Sequence, residues 1–293
     1  MIEIENNMEV TLNNGIKMPM IGFGLALLEP GEMLQNALDT AIDVGYKLFD
    51  NAPIYGNEGA FGEAVRNNGI DREKLFISSK LRNSQHRYED ALKAFDSSLN
   101  AIGVDYLDLY MIHFPCPAFD LYCEAWKALE HLYGEGYVRA IGVSNFHEPH
   151  LEKIFSMCNI PPVVNELECN PYLSITELRE YCHNNSIWPE AWFPLGGPAR
   201  KLSGQIIDGQ RLLEDPDLIR IGKKHEKSPA QIVLRWDIQS KIIAIPKSSK
   251  QERIRENIDI FDFILSDTDM ATINKLNINQ RSGSNPDTCN DQF

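Results

Sequence analysis

Short, almost unbroken apolar runs recur along this chain, and each is followed by a stretch of helical spacing. KLFD, LFISSK, LDLYMIH, VRAIGVSN, VVNELEC, IWPEAW and IIAIPK read as strands, and IDIFDF reads as a weaker eighth. Leu34, Ala37, Leu38, Ala41 and Ile42 share one helical face, and Gly45 stops that helix. Helices are also expected near 57–67, over 87–101 with Gly103 as the stop, and through Tyr122, Trp126, Leu129 and Tyr133. Others follow near 148–157, 174–184 and 228–239, the last introduced by Ser228 and Pro229 as cap and first-turn residue. Strands apolar on both faces need helices on both sides, which implies a parallel sheet. About eight such units in 293 residues predict an α/β chain closed into a (β/α)8 TIM barrel, with 1–293 as one domain. VTLNNGIKMPMIGFG reads as an added N-terminal β-hairpin turning at Asn14-Gly15. The tail from 279, rich in Asn, Asp, Ser and Gly, is expected to form a loop over the active-site end.

In such barrels chemistry sits at the C-terminal ends of the strands. Asp50, Lys80 and His113 each close an apolar run, and Tyr55 lies in the loop just past Asp50. These four side chains fit a proton-donating site. A phenol is a weak acid, with an ordinary pKa of about 10. A neighbouring ammonium favours the phenolate, and a carboxylate paired to that ammonium holds it charged and in place.

The balance of 42 acidic to 28 basic residues, a net charge of −14, argues against nucleic-acid and anionic-membrane partners. It leaves room for a local basic pocket. MIEIENNMEV has neither a basic n-region nor an apolar core, so no signal peptide is read. No run reaches the ~18 apolar residues of a membrane span, and a cytoplasmic protein is expected. The six cysteines are scattered without a CxxC pair, which predicts reduced thiols and no metal site. Gly22-Phe-Gly24 and Gly134-Glu-Gly136 lack the third glycine of a dinucleotide fingerprint. Any dinucleotide must therefore be held by the barrel itself. IPKSSKQERIREN, residues 245–257, offers a place for one, because a strand ending in Lys247-Ser248 leads into a helix that carries Arg253. Helix N-termini favour anions, and Lys250 adds charge there.

The spacing of Asp50, Tyr55, Lys80 and His113 resembles the catalytic tetrad of the aldo-keto reductases, in short-loop, bacterial-type form. The resemblance runs from about residue 8 to 280. It implies that Tyr55 protonates a carbonyl oxygen as hydride arrives, that Lys80 and Asp50 tune it, and that His113 orients substrate. It also implies NADP(H) as cofactor and a small carbonyl compound as substrate. IGVSNF places Ser144 and Asn145 on the nicotinamide carboxamide. VNELECNPY places Glu166 where the family has a carboxamide-binding Gln, and an ionised Glu166 is expected to favour the oxidised cofactor. EAWFPLGG puts Trp192 where a Tyr stacks on the nicotinamide, implies a backbone contact at Leu195, and replaces a Ser with Phe193. Lys247, Ser248, Arg253, Glu256 and Asn257 match positions at the adenosine 2′-phosphate and adenine, which favours NADP over NAD. Ala26 and Phe114 stand at substrate-pocket positions where Trp is common.

Two other functions compete with carbonyl reduction. Lys80 could serve a Schiff-base aldolase, although Asp50 would hold its ammonium charged and so unreactive. Alternatively, the barrel could bind NADPH without turning over.

Overall fold

The computed structural model describes residues 9–197, 200–202, 205–207 and 209–292. Eight parallel strands form its barrel. They are β1 (Gly22–Gly24), β2 (Leu48–Asp50), β3 (Phe76–Leu81), β4 (Leu107–Ile112), β5 (Val138–Ser144), β6 (Val164–Glu168), β7 (Trp188–Trp192) and β8 (Ile243–Ala244). Each strand pairs with the next, and a parallel bridge from Ile21 to Ala244 joins the two ends of the sheet. The Ala244 N–H donates to Met20 O at 2.9 Å, and the Gly24 N–H donates to Pro246 O at 3.1 Å. β2, β3, β4 and β6 are buried along their whole length, as strands with both faces covered require.

Helices α1 (Glu32–Asp43), α2 (Glu58–Asn68), α3 (Tyr88–Ile102), α4 (Tyr122–Gly134), α5 (Glu148–Phe155) and α6 (Thr176–Asn184) follow β1 to β6 in turn. Their apolar stripes face the sheet. In α1, Leu34, Ala37, Leu38 and Ala41 are buried as their spacing predicts. After β7 come α7 (Pro216–His225) and α8 (Pro229–Gln239), and after β8 come α9 (Gln251–Ile258) and α10 (Asp267–Asn274). Ser228 and Gln231 cap α8 reciprocally, each side chain binding the other's backbone N–H.

Two strand expectations are corrected. The hairpin is shorter than expected. It consists of Glu9–Thr11 paired with Lys17–Pro19, turning through Asn14 and Gly15, and GFG is the first barrel strand instead. IDIFDF is not a strand. Its Asp259 and Asp262 instead hold Lys227 at 2.8 and 2.9 Å, and Ile260 O accepts from Arg235 on α8. The alternation of Ile and Phe with Asp in that segment serves a loop packed over α8. α7 and α10 had no counterpart in the sequence reading.

GFG lacks strand propensity because it is two-thirds glycine. Its glycines serve barrel closure. A Cβ at Gly22 would lie 2.5 Å from Leu48 Cγ and 2.9 Å from Ile245 Cγ2. Only a residue without a side chain lets β1 pass between β2 and the chain leaving β8.

The tail crosses the C-terminal mouth, as expected. Ser282 and Gly283 donate backbone N–H groups to Glu168 at 2.6 and 2.9 Å, Asn83 donates to Asp291 O at 2.8 Å, and the Ala118 N–H donates to Asn290 at 2.8 Å. Glu168 ends β6, and Asn83 and Ala118 follow β3 and β4. Among the described residues, no helix is long and apolar enough to cross a membrane. The first residues, where a signal peptide was considered, lie outside the described residues as far as residue 8.

Candidate active site

Side chains two apart on a strand share a face, so Ser78 and Lys80 of β3 both point inward, and Asp50 stands beside Ser78 in the β2–β3 register. Ser78 Oγ donates to Asp50 Oδ1 at 2.8 Å. Lys80 Nζ lies 2.6 Å from each Asp50 oxygen, 3.2 Å from Asn51 O and 3.3 Å from the Tyr55 hydroxyl. Tyr55 reaches this point from a short 3-10 turn, Pro53–Tyr55, that Pro53 opens with a fixed φ. The Tyr55 ring meets the His113 ring edge to face, with centroids 6.4 Å apart. The four polar residues of the sequence reading therefore converge.

Burial weighs most heavily against the Lys80 charge. The carboxylates of Asp50 and Glu166 outweigh it and hold the ammonium well above the ordinary lysine range. Burial pushes the Tyr55 phenol above its usual range, and Lys80 opposes that rise without cancelling it. His113 is held well below its usual range by burial first and by the Lys80 charge second, so its imidazole is neutral. A neutral imidazole hydrogen-bonds a substrate oxygen without adding charge.

Glu166 also enters this cluster. Its Oε2 lies 3.0 Å from Lys80 Nζ, within ion-pair reach but off the angle of a hydrogen bond. Burial, with the Asp50 charge behind it, pushes the Glu166 carboxyl up to about 8, against the opposing pull of the Lys80 ammonium. Glu190, which the sequence reading passed over, stands beside Glu166 in the β6–β7 register and is fully buried. Among the described residues neither of its oxygens has a hydrogen-bond partner, and burial raises its carboxyl well above the ordinary range. The available signal was a glutamate in the middle of the otherwise apolar IWPEAW.

Ser144, Asn145 and Trp192 form one network. The Trp192 indole N–H donates to Asn145 Oδ1 at 3.0 Å, and Asn145 Nδ2 donates to Ser144 Oγ at 2.9 Å and to His113 O at 3.0 Å. Asn145 adopts a left-handed backbone, φ 63°, which Asn tolerates better than most residues. The Phe193 ring packs edge-on against Trp192, and Leu195 is half-buried nearby in the core. Gly283 of the tail sits so close to the outer edge of the indole that a Cβ would be 2.2 Å from it.

Lys247, Lys250 and Arg253 cluster around the start of α9, all exposed, and among the described residues none has a carboxylate within ion-pair distance. The buried Ser248 hydroxyl accepts from the Lys250 N–H at 3.1 Å. Asn257 is buried and Glu256 half-buried one turn further along. This group follows β8 in the chain. Ala26 is half-exposed in the loop after β1, and Phe114 packs with Cys116 and with Cys289 of the tail. All six cysteines are free thiols. Among the described residues, no group of three or more His, Cys, Asp or Glu side chains is placed to hold a metal ion.

Residues 20–278 match the sequence profile of the aldo/keto reductase family. The glyoxal reductase of Bacillus subtilis is 45% identical over 95% of this chain and 96% of its own length. The morphine 6-dehydrogenase of Pseudomonas putida is 41% identical over 94% of each. The structure also superimposes on a Bombyx mori aldo-keto reductase in complex with NADP, with a TM-score of 0.85, 34% identity and 95% of each chain covered.

Proposed function

This chain belongs to the aldo/keto reductase family and is an oxidoreductase, and we propose that it reduces aldehydes or ketones to alcohols with NADPH as hydride donor and Tyr55 as proton donor. The observation that carries the reading is the buried Lys80 ammonium, bound by both Asp50 oxygens at 2.6 Å and set 3.3 Å from the Tyr55 hydroxyl. That arrangement suits a phenol that must give up a proton in a closed site.

When bound, NADPH supplies a hydride to the carbonyl carbon. The Tyr55 hydroxyl gives its proton to the carbonyl oxygen as negative charge develops there. Lys80 stabilises the phenolate left behind, and Asp50 keeps Lys80 charged and fixed. Neutral His113 orients the carbonyl.

The residues present fit NADP(H). Lys247 is held below the usual lysine range by partial burial and, among the described residues, has no counter-ion, as a phosphate-binding cation would be. On this reading Lys247, Ser248 and Arg253 hold the 2′-phosphate, and Glu256 and Asn257 border the adenine. Ser144, Asn145 and Glu166 take the carboxamide, and Trp192 and the Leu195 backbone line the ring. Ala26 and Phe114 border the substrate. One relative is a glyoxal reductase and a structural neighbour is in complex with NADP, and both support carbonyl reduction with NADP(H).

The test follows NADPH absorbance with purified protein and a panel of glyoxal, aromatic aldehydes, diketones and sugars. Carbonyl-dependent loss of NADPH with matching alcohol is expected. Borohydride trapping of substrate on Lys80 without NADPH oxidation would overturn the reading in favour of an aldolase. Tight NADPH binding with no single-turnover oxidation by any aldehyde would leave a binding protein.

A further inference from the structure

Five oxygen atoms surround the Lys80 ammonium, which has three protons to give. Asp50 takes two contacts at 2.6 Å, Glu166 stands at 3.0 Å, Asn51 O at 3.2 Å and the Tyr55 hydroxyl at 3.3 Å. Tyr55, the group that needs the charge, therefore has the longest contact of the five. We propose that Glu166 is a positioning residue of the proton-transfer site: it competes with Tyr55 for Lys80, and its protonation state sets how strongly Lys80 supports the Tyr55 phenolate.

Protonated, Glu166 is neutral and leaves the ammonium to Asp50 and Tyr55. Ionised, it draws the ammonium to itself and places a second negative charge beside the forming phenolate. Both effects oppose proton donation.

The groups that face Glu166 fix which carboxyl loses its proton first. Asp50 from β2 and Lys80 from β3 already form a pair. Tyr55 lies beyond Lys80. Glu190 from β7 faces the same interior, and β5 contributes Ser144, whose hydroxyl donates to Glu166 O at 3.1 Å. One ammonium cannot offset three buried carboxylates. Glu166 touches Lys80 and Glu190 has no ion-pair partner among the described residues, so Glu166 ionises first and Glu190 stays protonated. Above that ionisation the enzyme loses reductase activity while Tyr55 is still a phenol.

The proposal rests on the reductase reading, and the experiment separates the two. kcat/KM for carbonyl reduction is measured against pH for wild type, Glu166→Gln and Glu190→Gln. In parallel, the infrared carboxylic-acid band of each protein is titrated without cofactor or substrate. Wild type is expected to lose at least tenfold in rate on the alkaline side, with the band fading over the same range. Glu166→Gln should lack that part of the band and show no alkaline fall from its own plateau rate, whatever that rate is, whereas Glu190→Gln should retain the wild-type fall. An unchanged alkaline fall in Glu166→Gln overturns the proposal alone, as does a fall that vanishes only in Glu190→Gln. An enzyme without turnover at any pH overturns the reductase reading and the proposal with it.

Discussion

In the proposed mechanism the Tyr55 hydroxyl is the group of the tetrad that gives up the transferred proton, and the other three act on it or on the substrate. Tyr55→Phe keeps the ring that meets His113 and deletes the acid. Carbonyl reduction is expected to fall by ~10²–10⁴ while NADPH affinity holds, since general acids contribute on that scale. Retained turnover in the purified variant would remove Tyr55 from the acid role. At the start of α9, where the 2′-phosphate is proposed to bind, Arg253 is an exposed cation without a carboxylate partner among the described residues. Arg253→Ala should weaken NADPH about tenfold, the effect of losing one charge-assisted contact of ~1.5 kcal/mol. NADH should be almost unaffected, and titrations of both cofactors decide it, because equal losses would place Arg253 away from the 2′-phosphate. The four tetrad residues were legible in the sequence because each closes, or directly follows, an apolar run. Glu190 was not, since a carboxyl inside a strand shows its partners, or their absence, only when the neighbouring strands are in place.

At the scale of elements, periodicity located the helices that pack their stripes on the sheet, and it failed where packing overrides pattern. β1 is the clearest case. Its sequence argues against a strand, and its glycines are required by Leu48 and Ile245 on either side. Gly22→Val should therefore force these buried side chains apart and cost ~1–3 kcal/mol, as overpacking does. A lowered urea midpoint with unchanged slope is the expected readout. A midpoint equal to wild type would mean that the closure is looser than these distances indicate. IDIFDF is the reverse case, a strand-like alternation recruited into a loop because its aspartates bind Lys227.

Over the whole molecule, several carboxyl groups are buried without full compensation. Asp237 on α8 is fully buried, with neither oxygen hydrogen-bonded among the described residues, and burial raises it well above the ordinary range despite the opposing charge of Arg179. A carboxyl whose folded pKa is raised binds more protons folded than unfolded at intermediate pH. Stability then falls as pH climbs from the unfolded value near 4 towards the folded one, by up to about 1.4 kcal/mol per pH unit for one group. Asp237→Asn removes this dependence. Urea unfolding at pH 5 and at pH 8 should show a smaller loss with rising pH in the variant than in wild type. Equal slopes would mean that Asp237 is ionised in the folded protein.

The sequence by itself determined the barrel and the tetrad, because both are written locally. Strand period places Ser78 and Lys80 on one face, and strand ends place Asp50, Lys80 and His113 at one rim. Tertiary structure alone decided how the charges share that rim. The meeting of Glu166 with Lys80, the isolation of Glu190, the Trp192–Asn145 hydrogen bond and the tail clasped by Glu168 all join residues distant in the chain. Their energies depend on burial and on angstrom-scale distance, and neither exists until the strands are in register.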